Sequence, residues 1–202
     1  MKRIFPILFT SVIILNAGIL SAIKSREVFS KNVNVSGLKD GDLIVRNGKG
    51  LVSHWFRKMS IKDPQFSHAG LIAIENNKVF VYHSYQEGIP SGLIKESLIQ
   101  FINPVLCDKY AVYRYDFNDC NRSKVKYTMK DDLSNNLPFD DSFELNNGRP
   151  VYCSEWIRDC LNSSMGDSNF ISTSTLKDFK YVSIENLYLT SHAKKILQHY
   201  YK

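Results

Sequence analysis

The chain has no CxxC pair, and its five histidines and four cysteines show no structural zinc spacing. No metal or organic cofactor is therefore expected. It contains no internal repeat and no long low-complexity tract, which excludes solenoids and arrays. Its basic residues are dispersed (Lys24, Arg26 and Lys31; Arg46 to Lys62; Lys194 and Lys195) rather than clustered with aromatics. No nucleic-acid partner is expected from such a distribution. At 202 residues it is long enough for one well-buried domain and short for two. What is present is 44% hydrophobic and 12% aromatic residues, a composition that builds a core. The formal charge of +6 reads as a solvated basic surface. Peripheral contact with an anionic envelope polymer or lipid headgroups is a further expectation.

Lys2 and Arg3 precede an apolar run from Ile4 to Leu15, followed by small residues through Ala22. That is the layout of a secretory signal, with cleavage expected after Ala22. The alternative joins Ile4 to Ile23 into a membrane anchor of about 20 residues, a span that Pro6, Thr10, Ser11 and Asn16 weaken. No cysteine stands near the cleavage region, so a lipoprotein anchor is not expected. Loss of residues 1–22 lowers the formal charge to +4. Residues 23–36 read as a linker and 37–202 as the domain. An exported domain belongs in the periplasm or cell envelope, where disulfides are permitted. Cys153 and Cys160 lie two helical turns apart, about 10 Å, too far to bridge. Cys107 and Cys120 are free to close a loop, though nothing in their spacing demands it.

Gly37 to Asp42 reads as a turn and Leu43–Arg46 as a short strand. A turn follows at Asn47–Gly50. Leu51, Trp55 and Met59 give a helix over 51–60. Phe66–Glu75 and Lys78–Tyr85 are strands joined by Asn76-Asn77, residues that tolerate the positive φ of a two-residue hairpin. In that register Glu75 faces Lys78, His68 faces Tyr85, and His83 lies diagonal to His68. Residues 94–101 read as a short helix or turn, 110–115 as a strand and 121–135 as a helix. A loop spans 136–150. Tyr152–Met165 is an amphipathic helix stopped by Gly166. The tail mixes short strands with polar turns and ends in a helical patch over 193–201. Antiparallel strands with flanking helices define an α+β domain.

Two residues carry the chemistry. Cys153 starts the 152–165 helix, where peptide dipoles favour a thiolate, and Glu155 in the first turn suits the same field. His68 opens an apolar strand and can serve as a base. Each also has a plain structural reading: a buried thiol is common filler, and a strand histidine is often satisfied by packing. Cys160, mid-helix on the apolar face, reads as core. His83 can bond the second nitrogen of His68 and fix its tautomer, or be a half-exposed strand residue. Asp42 reads first as a turn residue bonding its own backbone. His54, His192 and His199 read as surface or packing residues.

Gly41-Asp42-Leu43-Ile44, Phe66-Ser67-His68-Ala69-Gly70-Leu71, Val81-Tyr82-His83 and Tyr152-Cys153-Ser154-Glu155-Trp156 together resemble the permuted papain-like hydrolases. These form the YiiX-like branch of the NlpC superfamily, related to lecithin:retinol acyltransferase. Leu137-Pro138-Phe139-Asp140 is similar to the family's Pro-Tyr-Asp segment. His68 precedes Cys153 by 85 residues, the reverse of ordinary papain-like order. The resemblance implies a circularly permuted papain-like fold, an antiparallel sheet packed on the nucleophile helix. It implies Cys153 as nucleophile, His68 as base and His83 at the third polar position. Many members place Glu there; His resembles the acyltransferase relatives. Asp42, Ser67, Tyr152 and Ser154 are implied to line the site.

The expected reaction is acyl transfer: a Cys153 thiolate attacks a carbonyl, N–H groups at the helix start hold the oxyanion, and His68 protonates the leaving group. An exported amidase or peptidase acting on a cell-envelope peptide or amide is the leading expectation. The alternatives are a lipid-directed esterase or acyltransferase, and a non-catalytic envelope-binding module, against which the presence of both Cys153 and His68 argues. Nothing in the sequence fixes the oligomeric state.

Overall fold

The Asn76-Asn77 pair explains how the sheet begins. Both residues adopt positive φ (48° and 60°), and the strands they join are β2 (His68–Glu75) and β3 (Lys78–Tyr85). Glu75 pairs with Lys78 and Leu71 with Tyr82, the register the turn dictates. The protein is described here from a computed structural model over residues 36–86, 91–143, 145 and 150–201. The expected leader at 1–22 and the 23–36 linker, Ser36 apart, lie outside the described residues, as do 146–149 of the expected loop.

β1 (Leu43–Gly48) pairs antiparallel with β2 on one side and with β5 (Cys107–Tyr115) on the other. With β4 (Gly92–Ser97) and β8 (Ala193–Tyr200) they make a six-stranded antiparallel sheet of order β4-β3-β2-β1-β5-β8. A small hairpin, β6 (Ser174–Leu176) and β7 (Phe179–Tyr181), stands apart. The helices are α1 (Leu51–Lys58), α2 (Leu98–Phe101), α3 (Asp119–Ser134), α4 (Cys153–Met165) and α5 (Ile184–Tyr188).

Strand alternation puts Leu43 and Val45 of β1 and Ala69, Leu71 and Ala73 of β2 on one face. Trp156, Ile157, Cys160 and Leu161 of α4 complete that core, and α3 adds Val125 and Met129. Gly166 ends α4 in the left-handed region (φ 66°), as the sequence predicts. Among the described residues no helix is long and apolar enough to cross a membrane.

Three elements differ from expectation. The first half of the 94–101 segment (94–97) is the end of strand β4, and only its second half is helix, α2. The 193–201 patch is strand β8, because its backbone fills the free edge of β5. The helical α5 had no counterpart in the sequence reading. All four cysteines are free, so Cys107 and Cys120 close no loop.

Candidate active site

The N-terminus of α4 is pinned from two sides. Ser84 of β3 donates through its hydroxyl to the Val151 carbonyl at 2.8 Å. Tyr152 accepts the Val182 N–H at 2.8 Å, and Ser154 donates to the Val182 carbonyl at 2.7 Å. These bonds hold Cys153 against the start of β2. The backbone N–H groups of Ala69 and Ser154 approach the Cys153 sulfur and favour its thiolate. Cys153 and His68 border one cleft of about 320 Å3, together with Arg46, Ser67, Ser84 and Tyr85. No direct thiol–imidazole hydrogen bond forms among the described residues.

His68 Nε2 lies 2.8 Å from His83 Nδ1. The other nitrogen of His83, Nε2, lies 3.0 Å from Glu96 Oε1, at ion-pair distance but off the straight N–H line. Phe101 of α2 stacks on the His68 ring (5.6 Å, 26° between planes) and meets the His83 ring edge-on at 5.1 Å. The Arg46 guanidinium sits 4.5 Å from the centre of the Phe101 ring and donates to the Phe101 carbonyl. Gly70 allows this packing: a Cβ there would lie 2.9 Å from the Tyr82 carbonyl and collide with Val81.

The charge state differs from the thiolate expected of a helix start. Burial pushes the Cys153 thiol up to about 11, outweighing the stabilising N–H groups and the Arg46 charge. Burial, then Arg46 and His83, hold His68 well below its ordinary value. Burial also lowers His83, with Glu96 opposing. Burial therefore favours a neutral thiol and a neutral imidazole on this cleft.

Of the expected lining residues, Ser67 borders the cleft and bonds the Gly48 N–H at 2.8 Å. Tyr152 and Ser154 do not line it; they are buried anchors of α4. Asp42 does not line it either. It lies at the opposite end of β1, where Arg114 (2.6 Å) and Arg122 (3.6 Å) clamp it and the Lys39 N–H donates to it. Arg46, Glu96 and Phe101 are not among the site residues read from the sequence. Glu96 stands on β4, which pairs Val81 with Glu96 and His83 with Ile94, a register that no turn in the sequence marks.

An antiparallel sheet whose histidine strand precedes the cysteine helix is the permuted form of the papain-like α+β fold. The chain belongs to the permuted papain-like amidase family YaeF/YiiX (C92), which it matches over residues 37–192. Its fold is shared by the crystal structure titled metalloprotein YiiX from Escherichia coli O157:H7. The TM-score is 0.65 at 19% identity, covering 80% of this chain and 98% of that one. No curated protein matches the sequence. The family assigns the chain to papain-like amidases and hydrolases.

Proposed function

We propose that the chain is an exported thiol-dependent amidase that cleaves a cell-envelope peptide or amide by acyl transfer. The observation that carries this reading is the shared cleft, in which Cys153 at a helix start faces the same opening as His68, itself held by His83. His68 Nδ1 takes the thiol proton as sulfur attacks the carbonyl carbon. The N–H groups at the start of α4 stabilise the oxyanion. His68 then gives that proton to the leaving amine, and water resolves the thioester by the same route in reverse.

YiiX is titled a metalloprotein. Among the described residues here, no three His, Cys, Asp or Glu side chains are grouped to hold a metal ion. Nε2 of His68 and Nδ1 of His83 are spent on each other at 2.8 Å. The donor set does not fit a metal, and no step runs through one.

A second reading, a lipid-directed esterase or acyltransferase, is favoured by one feature. An apolar groove of about 500 Å3, lined by Trp55, Phe56, Met59, Phe143 and Phe179, shares Phe56 and Gln86 with the cleft.

Incubation with muropeptides and with phospholipids, read by mass spectrometry, tests both. The expected result is a cleaved amide, lost on Cys153→Ala and reduced at least about a thousandfold by His68→Ala. Cleavage of phospholipid alone selects the second reading. Undiminished turnover by Cys153→Ala overturns both. Sequencing the N-terminus of the exported protein tests the expected cleavage after Ala22.

A further inference from the structure

The 2.8 Å separation of His68 Nε2 and His83 Nδ1 fits one proton between them, not two and not none. With both rings neutral, two arrangements satisfy it. In the first, His68 donates from Nε2 and keeps a lone pair on Nδ1. In the second, His83 donates from Nδ1, and His68 must carry its own proton on Nδ1. Only the first leaves His68 able to accept a proton from the thiol. Nothing within the imidazole pair itself chooses between them.

We propose that Glu96 makes the choice, as a positioning residue that fixes the protons of both imidazoles and so keeps Nδ1 of His68 a base. A carboxylate only accepts. Its Oε1 lies 3.0 Å from His83 Nε2 without a straight hydrogen bond, and the nearby negative oxygen favours a proton on that nitrogen over a lone pair. His83 Nδ1 is then a lone pair and accepts from His68 Nε2–H, which leaves Nδ1 of His68 unprotonated. The second arrangement would press the His83 Nε2 lone pair against a carboxylate oxygen. His83 is almost fully buried, so little water screens that repulsion.

The fold builds this as a repeated diagonal. His83 lies one diagonal step from His68 across β2 and β3. Glu96 lies one diagonal step from His83 across β3 and β4, since His83 pairs with Ile94. The groups facing the two rings from other elements are Arg46 of β1, Tyr85 of β3 and Phe101 of α2. Of these, only Arg46 is charged, and its charge favours neutral imidazoles. When sulfur attacks, the thiol proton moves to His68 Nδ1 and goes no further along the pair before His68 passes it to the leaving amine. The imidazolium retains its Nε2–H bond to His83, and the Glu96 carboxylate offsets its charge.

The proposal rests on His68 acting as the base, but its test separates the two. In protein labelled with 15N-histidine, long-range 1H–15N correlations report each neutral tautomer without substrate. Wild-type His68 is expected as the Nε2–H form. Glu96→Leu is expected to shift His68 toward the Nδ1–H form and lower kcat on a substrate of the wild type at least about tenfold, with KM within about twofold. Glu96→Gln keeps an acceptor oxygen and is expected to restore the wild-type tautomer. The Glu96 side chain is 21% exposed, so leucine fits there without entering the core. An unchanged tautomer in Glu96→Leu, or a wild-type His68 already in the Nδ1–H form, overturns the proposal. A tautomer shift in a protein that hydrolyses no amide sustains it and overturns the functional reading alone.

Discussion

Cys153 meets two opposed effects. The helix start and the Ala69 and Ser154 N–H groups favour a thiolate; loss of water disfavours it more, and the thiol is pushed up to about 11. Alkylation by iodoacetamide, followed site by site with mass spectrometry, checks this. At pH 8 Cys153 is expected to react more than about a hundredfold slower than an ordinary thiol, its rate rising about tenfold per pH unit. Exposed Cys120 is the internal reference. Equal rates at the two sites would refute a neutral resting thiol. His68 and Cys153 were legible because each sits beside a strong punctuation mark, an apolar strand or a helix start. The protonation state was not, because burial is set by residues remote in sequence, Phe101 and Arg46 among them.

Strands and helices were legible where a local device fixed them. Asn76-Asn77 set one register and thereby placed His83. β4 was hidden because no such turn fixes its pairing, and Ser97 begins a helix-capping box with Gln100 that makes the whole stretch look helical. That error concealed Glu96 and Phe101. β8 carries Ala193, Leu197 and several good helix formers, and its strand state comes from the open backbone edge of β5. Asp42 shows the converse, a motif residue whose work is to join elements. Its buried carboxylate ties β1 to β5 through Arg114 and to α3 through Arg122. Asp42→Asn is expected to cost about 3 kcal/mol in urea unfolding, the usual penalty for breaking a buried pair. Turnover per folded molecule should stay within about twofold. Loss of turnover with unchanged stability would return Asp42 to the active site.

The molecule as a whole should be acid-sensitive. His68 and His83 are both held below their ordinary 6.5. As pH falls through about 6.5 the unfolded chain binds protons that the native protein refuses, so stability drops. The thermal midpoint is expected to be level from pH 8 to 7 and to fall between 6.5 and 5, with a shallower fall in His83→Asn. A level midpoint down to pH 5 would contradict the neutral imidazole pair. The family was legible because four short motifs stand in a fixed order; the sheet that gathers them was not, since its pairings join β1 to β5 and β5 to β8 across long stretches of chain. That order also bears on biosynthesis. A ribosome delivers the two imidazoles and their carboxylate well before the sulfur, and the last strand later still. On the proposed assignment, a nascent chain stopping short of residue 153 holds His68, His83 and Glu96 but lacks the proposed nucleophile.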